Sequence, residues 1–225
     1  TWERSLNWTP DGRGILAGTF DGTVLHWDAT NGRQITEIGG NSFSVGNSCI
    51  NDISTNSHGL AAMASDDGYI RLAQLSPTDS KWIQIYKPDS GRILMNAICL
   101  DDTQLLAGTH DQKLQVFTLI DGRLGKESEL NLNEGPINCI QVAATGAAAG
   151  EAFAACYSGA IVRISLRNGR AETRQKFAIH GGAVKSLRME PGGLSGVSCA
   201  ADGSMFSWTH DGEIIRQFVG HTAIV

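Results

Sequence analysis

The chain has 225 residues, a formal net charge of −5 and a pI near 5.6, which argues against a general nucleic-acid-binding domain, since such domains are usually basic. Its 27 glycines and 5 prolines suit many short strands joined by tight turns. The longest stretch without a charged residue, Gly135 to Gly150, is too short and too polar to cross a membrane, which takes about 20 apolar residues. We therefore predict no membrane span.

The first predicted elements are four short strands separated by turn signals. The strands are expected at Arg4–Trp8, Gly14–Thr19, Thr23–Asp28 and Arg33–Ile38. The turn signals between them are the residues of "PDG" at 10–12, "DG" at 21–22 and "NG" at 31–32. These residues supply the positive or preset φ that tight hairpins need. The pattern predicts a four-stranded antiparallel meander.

The same pattern recurs four more times along the chain, as a search for internal repeats shows. The corresponding turn positions recur at intervals of 44 to 47 residues and are occupied by Gly22, Gly68, Gln112, Gly159 and Gly203. We therefore predict five repeats, at approximately 3–49, 50–94, 95–136, 137–183 and 184–225, within one domain over residues 1–225.

The second strand of each repeat is apolar almost throughout, as in "ILAGT" and "LAAMAS". A strand of this kind has both faces buried, so its sheet must be sandwiched between similar sheets. Sheets stacked radially about an axis meet this need. The predicted fold is all-β, a β-propeller of four-stranded antiparallel blades with five repeats visible.

The motifs of these repeats resemble those of the WD40 repeat family. The resemblance is carried by "TPDG" at 9–12, the Asp-Gly turn, the Trp27-Asp28 pair and Gly220-His221. The Trp position of the five repeats is occupied by Trp27, Ala73, Phe117, Ile164 and Trp208. The resemblance implies a non-enzymatic scaffold for protein–protein interaction.

The resemblance also implies a structural relay of hydrogen bonds within a blade, made by a His, a Ser or Thr, an Asp and the Trp. The first repeat supplies Thr19, Asp21 and Trp27, and His221 completes the set if the last repeat closes onto the first. The fifth repeat supplies His180, Asp202 and Trp208, with Ala200 where the hydroxyl is implied. We expect these residues to hold the fold together rather than to bind a partner.

The two ends of the chain fall at the same phase of the repeat, which leaves two architectures open. Five blades can close on themselves as a monomer, or the five can be part of a seven-bladed propeller, the number that the family resemblance suggests. An open arc would expose the apolar faces of its end blades. The chain begins with Thr1 rather than Met, and we expect it to be part of a longer protein.

No pattern in the sequence predicts catalysis, a metal site or a cofactor. The six histidines lack the paired spacings of zinc sites, and the five cysteines form no CxxC pair. A propeller glycosidase needs two convergent carboxylates, whereas the first strands supply only Asp52 near the axis. Buried, unpaired cysteines suit a reducing compartment, so we expect the cytoplasm or nucleus.

The predicted binding surface is one rim of the propeller. The turns between second and third strands and the connections between repeats emerge on this rim, so a partner lying across it meets each blade. The candidate contacts are Trp2, Phe20, Asp66, Leu94, His110 and Tyr157. Large aromatic residues are frequent binding hot spots, and this rim is the expected site of a protein partner.

The fourth repeat carries an excess of basic residues, which keeps open the alternative of nucleic-acid or acidic-partner binding. These residues, the basic set, are Arg163, Arg167, Arg170, Arg174, Lys176, Lys185 and Arg188. Basic side chains on strands also serve as solvated cover for apolar surface. Nucleic acid is therefore the second candidate after protein.

Overall fold

The strands are grouped in sheets of four, each in simple sequential order. The computed structural model describes residues 2–38, 48–78, 80–87, 93–143 and 145–223. Within these ranges the strands form five four-stranded sheets, and the helical structure is the three-residue 3₁₀ helix Gly146–Ala148. The predicted all-β fold, a β-propeller of four-stranded antiparallel blades, is confirmed.

The contacts divide the chain into two compact units, which are described separately. The first unit comprises residues 1–107 and 117–126, and the second comprises residues 108–116 and 127–225. The third sheet contributes residues to each unit. The single domain over residues 1–225 and the closure of the ring remain predictions.

The first two sheets lie in the first unit. Their strands are β1 (Glu3–Trp8), β2 (Gly14–Thr19), β3 (Val24–Asp28), β4 (Gln34–Ile38), β5 (Ile50–Thr55), β6 (Leu60–Ser65), β7 (Ile70–Gln74) and β8 (Lys81–Tyr86). The third sheet has β9 (Met95–Leu100), β10 (Gln104–Thr109), β11 (Lys113–Ile120) and β12 (Arg123–Asn131).

The last two sheets lie in the second unit. Their strands are β13 (Ile137–Ala143), β14 (Glu151–Cys156), β15 (Ala160–Arg167), β16 (Arg170–Ala178), β17 (Val184–Met189), β18 (Ser195–Ala200), β19 (Met205–Thr209) and β20 (Ile214–Phe218). The first strands of the five sheets begin at Glu3, Ile50, Met95, Ile137 and Val184, the phase at which the sequence places its repeats.

The core of the first unit forms where neighbouring sheets face each other. Leu16 and Val24 of the first sheet pack with Ile50, Met63 and Ala73 of the second, and all five are buried. Each large aliphatic side chain buried in this way contributes roughly 1.5–3 kcal/mol. The residue at the Trp position of the second sheet, Ala73, thus faces the sheet that precedes it.

Small residues in the second strands let the sheets approach closely. All six residues of β6 are buried, as its apolar sequence predicts. A Cβ added to Gly18 of β2 would lie 2.6 Å from a side-chain carbon of Ile50 in the next sheet. A larger residue at position 18 would force the first two sheets apart.

Side chains of the first strands hydrogen-bond to the backbone of the following sheet. In the first unit the hydroxyl of Ser5 donates to the Ile50 carbonyl at 3.3 Å, and Asp52 Oδ2 accepts from the Ile98 amide at 2.9 Å. In the second unit the side-chain Nδ2 of Asn138 donates to the Val184 carbonyl at 2.8 Å. These bonds fix the register between sheets within each unit.

The core of the second unit contains a group of three aromatic side chains among aliphatic ones. Trp208, fully buried, lies with its ring centroid 5.6 Å from that of Phe153 and 6.3 Å from that of Phe177, both in the preceding sheet. Gly196 pairs with Trp208 across β18 and β19, and a Cβ there would lie 2.6 Å from the indole ring. The indole therefore requires glycine opposite it.

Candidate protein-binding rim

Backbone hydrogen bonds join the turns and connections that the sequence places on one rim. The Phe20 amide donates to the Trp2 carbonyl at 2.9 Å, and the Asp66 amide donates to the Cys49 carbonyl at 3.1 Å. In the second unit the Tyr157 amide donates to the carbonyl of Pro136 at 2.9 Å. Side chains on these turns therefore project from a backbone that is held in place.

Two exposed aromatic residues of the first unit, the aromatic pair Trp2 and Phe20, are joined by a backbone hydrogen bond. Trp2 is 80% exposed and Phe20 is 56% exposed, although the hydrogen bond between their backbones brings the two residues together. Leu94 is also exposed on the connection before β9. Apolar surface of this kind on a fixed backbone is suited to contact with a protein partner.

A β-bulge at the start of β1, of β5 and of β17 adds a polar residue to the rim of its unit. In β1 the register shifts between Glu3 and Ser5, which leaves Arg4 as the extra residue, and Asn51 is the equivalent residue of β5. Arg4 Nε donates to Asn51 Oδ1 at 3.0 Å, and Asn51 Nδ2 donates to Asp66 Oδ1 at 2.7 Å. Asp66 is thus half-buried in a polar network beside the aromatic pair.

The rim of the second unit carries an exposed tyrosine beside a lysine. Tyr157 is 56% exposed, and the ammonium of Lys185 lies 5.7 Å from the centre of its ring. Lys185 occupies the bulge of β17, equivalent to Arg4. His110, on the turn between β10 and β11, is exposed as well.

A charged network supports the same end of the second unit. Glu134 accepts a hydrogen bond from Lys176 at 2.9 Å and one from the Ser158 hydroxyl at 2.7 Å. The bond from Lys176, followed by that from Ser158, lowers the pKa of Glu134. Glu134 is therefore ionised at neutral pH and holds the turn next to Tyr157.

The sequence carries a signal for the bulge residues, which the predicted rim contacts do not include. The second position of the five first strands is polar in every repeat, occupied by Arg4, Asn51, Asn96, Asn138 and Lys185. A polar residue at a fixed place beside an apolar strand pattern indicates a role outside the core.

The relay of the fifth blade is formed through two serines. Trp208 Nε1 donates to Ser198 Oγ at 3.0 Å, and Ser198 Oγ lies 2.7 Å from His180 Nε2. His180 Nδ1 lies 2.6 Å from Ser204 Oγ, which donates to Asp202 Oδ1 at 2.6 Å. The structure thus brings His180, Asp202 and Trp208 together, and Ser198 supplies the hydroxyl that the family resemblance implies at position 200.

The neighbouring hydrogen bonds determine which ring nitrogen of His180 carries the proton. An indole N–H can only donate and an ionised carboxylate can only accept, so Ser198 donates to Nε2 and the Nδ1–H donates to Ser204. Burial lowers the pKa of His180, against a smaller opposing effect of Asp202. A neutral His180 satisfies every polar group in the chain of hydrogen bonds.

The residues assigned to a relay in the first blade form a different arrangement. Thr19 Oγ1 donates to Asp21 Oδ1 at 2.5 Å and also lies 2.9 Å from the Thr23 carbonyl, so it closes the turn between β2 and β3. Trp27 is half-buried. His221 is exposed in the second unit, and its predicted pairing with the first blade remains a prediction.

Part of the basic set is neutralised by carboxylates. Arg163 forms ion pairs with Glu151 at 2.7 Å and Asp211 at 2.8 Å, and the bond to Glu151 is the main cause that raises its pKa. Lys176 is the ion-pair partner of Glu134. The exposed members of the set include Arg167, Arg170, Arg174, Lys185 and Arg188.

Two side chains with reactive groups, Asp52 and Cys156, are held in the fold by hydrogen bonds or by burial. Asp52 accepts hydrogen bonds from the amides of Ile53 and Ile98, each at 2.9 Å. Burial raises the pKa of the Cys156 thiol to about 12. Among the described residues, no three His, Cys, Asp or Glu side chains come together in a way that could hold a metal ion. No helix within those ranges is long and apolar enough to cross a membrane.

Comparison with known proteins supports the family resemblance. Residues 4–28 match the family model described as "WD domain, G-beta repeat". Protein tipD of Dictyostelium discoideum is 43% identical to this chain over 47 residues, which are 20% of this chain and 8% of that protein. Together with the five four-stranded blades, these matches confirm the resemblance to the WD40 repeat family.

Proposed function

We propose that this WD40-repeat propeller is a non-enzymatic platform that binds a protein partner through exposed aromatic residues on its turns, Trp2 and Phe20 in the first unit and Tyr157 in the second. WD40 propellers are in general scaffolds for protein interaction, and fold alone does not assign a partner. The observation that carries the proposal is the exposure of large aromatic side chains on hydrogen-bonded turns.

Exposed aromatic residues on an ordered turn favour binding, because they offer a large contact area and lose little backbone entropy on association. A tryptophan or phenylalanine buries a large apolar area when a partner covers it. Because the Phe20 amide is bound to the Trp2 carbonyl, the turn is ordered before binding, and little backbone entropy is lost on association. The polar network of Arg4, Asn51 and Asp66 supplies hydrogen-bonding groups beside the apolar contact.

The proposal is tested by affinity capture with wild type and with Phe20→Ala/Tyr157→Ala, followed by quantitative protein identification. The matched control is Ile120→Ala, because Ile120 is 66% exposed but lies at the end of β11, away from the rim turns. A partner captured by wild type and by the control, and depleted at least tenfold by the rim variant, supports the proposal. Equal capture by all three proteins contradicts it.

The alternative of nucleic-acid binding receives less support from the geometry, because Arg163 and Lys176 already pair with carboxylates. A labelled single-stranded RNA should therefore show no saturable binding at low salt. Saturable binding that weakens steeply as salt rises would favour the alternative, since neutralising phosphates releases counterions.

A further inference from the structure

Tyr157 stands on a turn of the second unit that neighbouring segments hold in place. Its amide donates to the Pro136 carbonyl at 2.9 Å. A Cβ added to Gly135 would lie 3.0 Å from the Cβ of Tyr157, and one added to Gly159 would collide with the His180 carbonyl oxygen. The turn is thus packed closely against both segments, and the exposed ring of Tyr157 projects from a fixed backbone.

The ammonium of Lys185 lies over the ring of Tyr157, 5.7 Å from its centre, which is within the range of a cation–π interaction. Lys185 is the extra residue in the bulge of β17, and it is exposed. Among the described residues it forms no ion pair with a carboxylate. This place on the rim therefore presents an unpaired positive charge beside an exposed aromatic ring.

The equivalent place in the second sheet has an acidic residue that the fifth sheet lacks. There the bulge residue Asn51 donates to Asp66 Oδ1 at 2.7 Å, and Asp66 lies on the turn after β6. In the fifth sheet Ala201 occupies the corresponding turn position, and its amide donates to the connection before β17 at 2.9 Å. Alanine has no carboxylate to offer Lys185.

The acidic residues of the surrounding turns are already bonded to other groups. Asp202 accepts from the Gly181 amide at 2.7 Å and from the Ser204 hydroxyl at 2.6 Å. Glu134 forms an ion pair with Lys176 at 2.9 Å. The positive charge of the bulge lysine is thus left for a carboxylate from outside the chain.

We propose that Tyr157 and Lys185 bind an acidic segment of the partner protein. An aspartate or glutamate of the segment lies against the Lys185 ammonium, and its neighbouring apolar atoms cover the exposed part of the Tyr157 ring. This proposal rests on the proposed function, since it specifies the chemistry of the partner that the exposed aromatic residues bind. Charge complementarity of this kind gives specificity at protein interfaces, and a single unpaired ammonium suits one carboxylate better than nucleic acid, whose binding needs several phosphates to be neutralised.

The test begins with phage-displayed dodecapeptides selected on the immobilised whole chain, after removal of those that also bind Tyr157→Ala. Calorimetric titration of the synthesised peptides then measures their affinities. The selected peptides should share an aspartate or glutamate, and replacing it by its amide should weaken binding at least fivefold, because the ion pair is lost. Lys185→Met should weaken binding by a similar factor, whereas Lys185→Arg should retain most of the affinity.

The matched control is Arg216→Met, which removes an exposed cation of the same sheet. Arg216 lies on β20, and β18 and β19 separate this strand from β17, so the affinity should not change. Far-ultraviolet circular dichroism and thermal melting of each variant establish that it is folded.

Charge reversal tests the contact itself. Lys185→Glu should lose the acidic peptide and should bind the peptide whose acidic residue is replaced by lysine. Lys185→Met and the amide-substituted peptide, combined in a double-mutant cycle, should cost little more than either change alone, since both remove the same ion pair.

The outcomes separate this proposal from the preceding one. Selected peptides without an acidic residue, or peptides whose affinity is unchanged by Lys185→Met, would overturn the acidic-segment proposal, although their dependence on Tyr157 would support a protein-binding surface there. If no peptide remains after the removal step, the acidic-segment proposal is wrong, and the capture experiment with Phe20→Ala/Tyr157→Ala decides the proposed function independently.

Discussion

Replacement of Ser198 by alanine should strongly destabilise the second unit, because one hydroxyl serves two buried groups. Ser198 is 1% exposed, accepts from Trp208 Nε1 at 3.0 Å and lies 2.7 Å from His180 Nε2. The variant leaves both nitrogens without a partner, and each buried unsatisfied group costs about 1–3 kcal/mol. We expect the free energy of unfolding to fall by about 2–6 kcal/mol.

The assay is urea unfolding followed by tryptophan fluorescence, with the midpoint and the slope compared between variants. Ser207→Ala is the matched control, because Ser207 lies beside Trp208 on β19 and is only half-buried. It should change stability by less than about 0.5 kcal/mol. If Ser198→Ala lost no more stability than Ser207→Ala, the hydrogen-bonded relay would not be the source of stability that we infer.

Three further predictions concern pH, a buried ion pair and assembly. The folded state should lose stability as pH drops below the ordinary His pKa of 6.5, because burial lowers the pKa of His180 and the unfolded chain then binds the proton first. Thermal melting from pH 7.5 to 5 should show this loss of stability, and His180→Gln should reduce the loss. Asp67→Ala should cost about 3–5 kcal/mol in urea unfolding, because it leaves the guanidinium of Arg71, 5% exposed, without its carboxylate; an effect below about 1 kcal/mol would contradict this. If five blades close, light scattering should show a monomer, whereas a dimer or aggregate would favour the seven-bladed alternative.

The repeat and the strands were predictable because they depend on local signals. Turn residues with preset or positive φ recur at intervals of 44 to 47 residues, and strand alternation is visible between them. Even Gln112, which stands where four repeats have glycine, adopts a positive φ of 74°. The turn geometry is thus imposed by the two strands that it joins.

The choice of hydroxyl in the relay could not be predicted, because Ser198 and Ala200 are two residues apart and lie on the same face of β18. Alternation therefore permits either position. The structure selects Ser198 because it lies within hydrogen-bond distance of both the indole of Trp208 and the imidazole of His180. Such a distance depends on the stagger between strands, which a single sequence does not specify.

The pairing of the basic set with carboxylates could not be predicted from the sequence for a similar reason. Arg163 pairs with Asp211, 48 residues away in the chain, and with Glu151 on the neighbouring strand. A count of charges along the sequence therefore overstates the positive surface that remains for an acidic partner.

Site-specific photocrosslinking tests the central claim, that a protein partner binds the rim, most directly. A benzoyl-phenylalanine placed at Phe20, at Tyr157 or at the control position Ile120 would be irradiated in cell extract, and the crosslinked proteins would be identified. We predict that positions 20 and 157 crosslink the same partner and that position 120 does not. Crosslinking of that partner from position 120 alone, or of no protein from positions 20 and 157, would contradict the account.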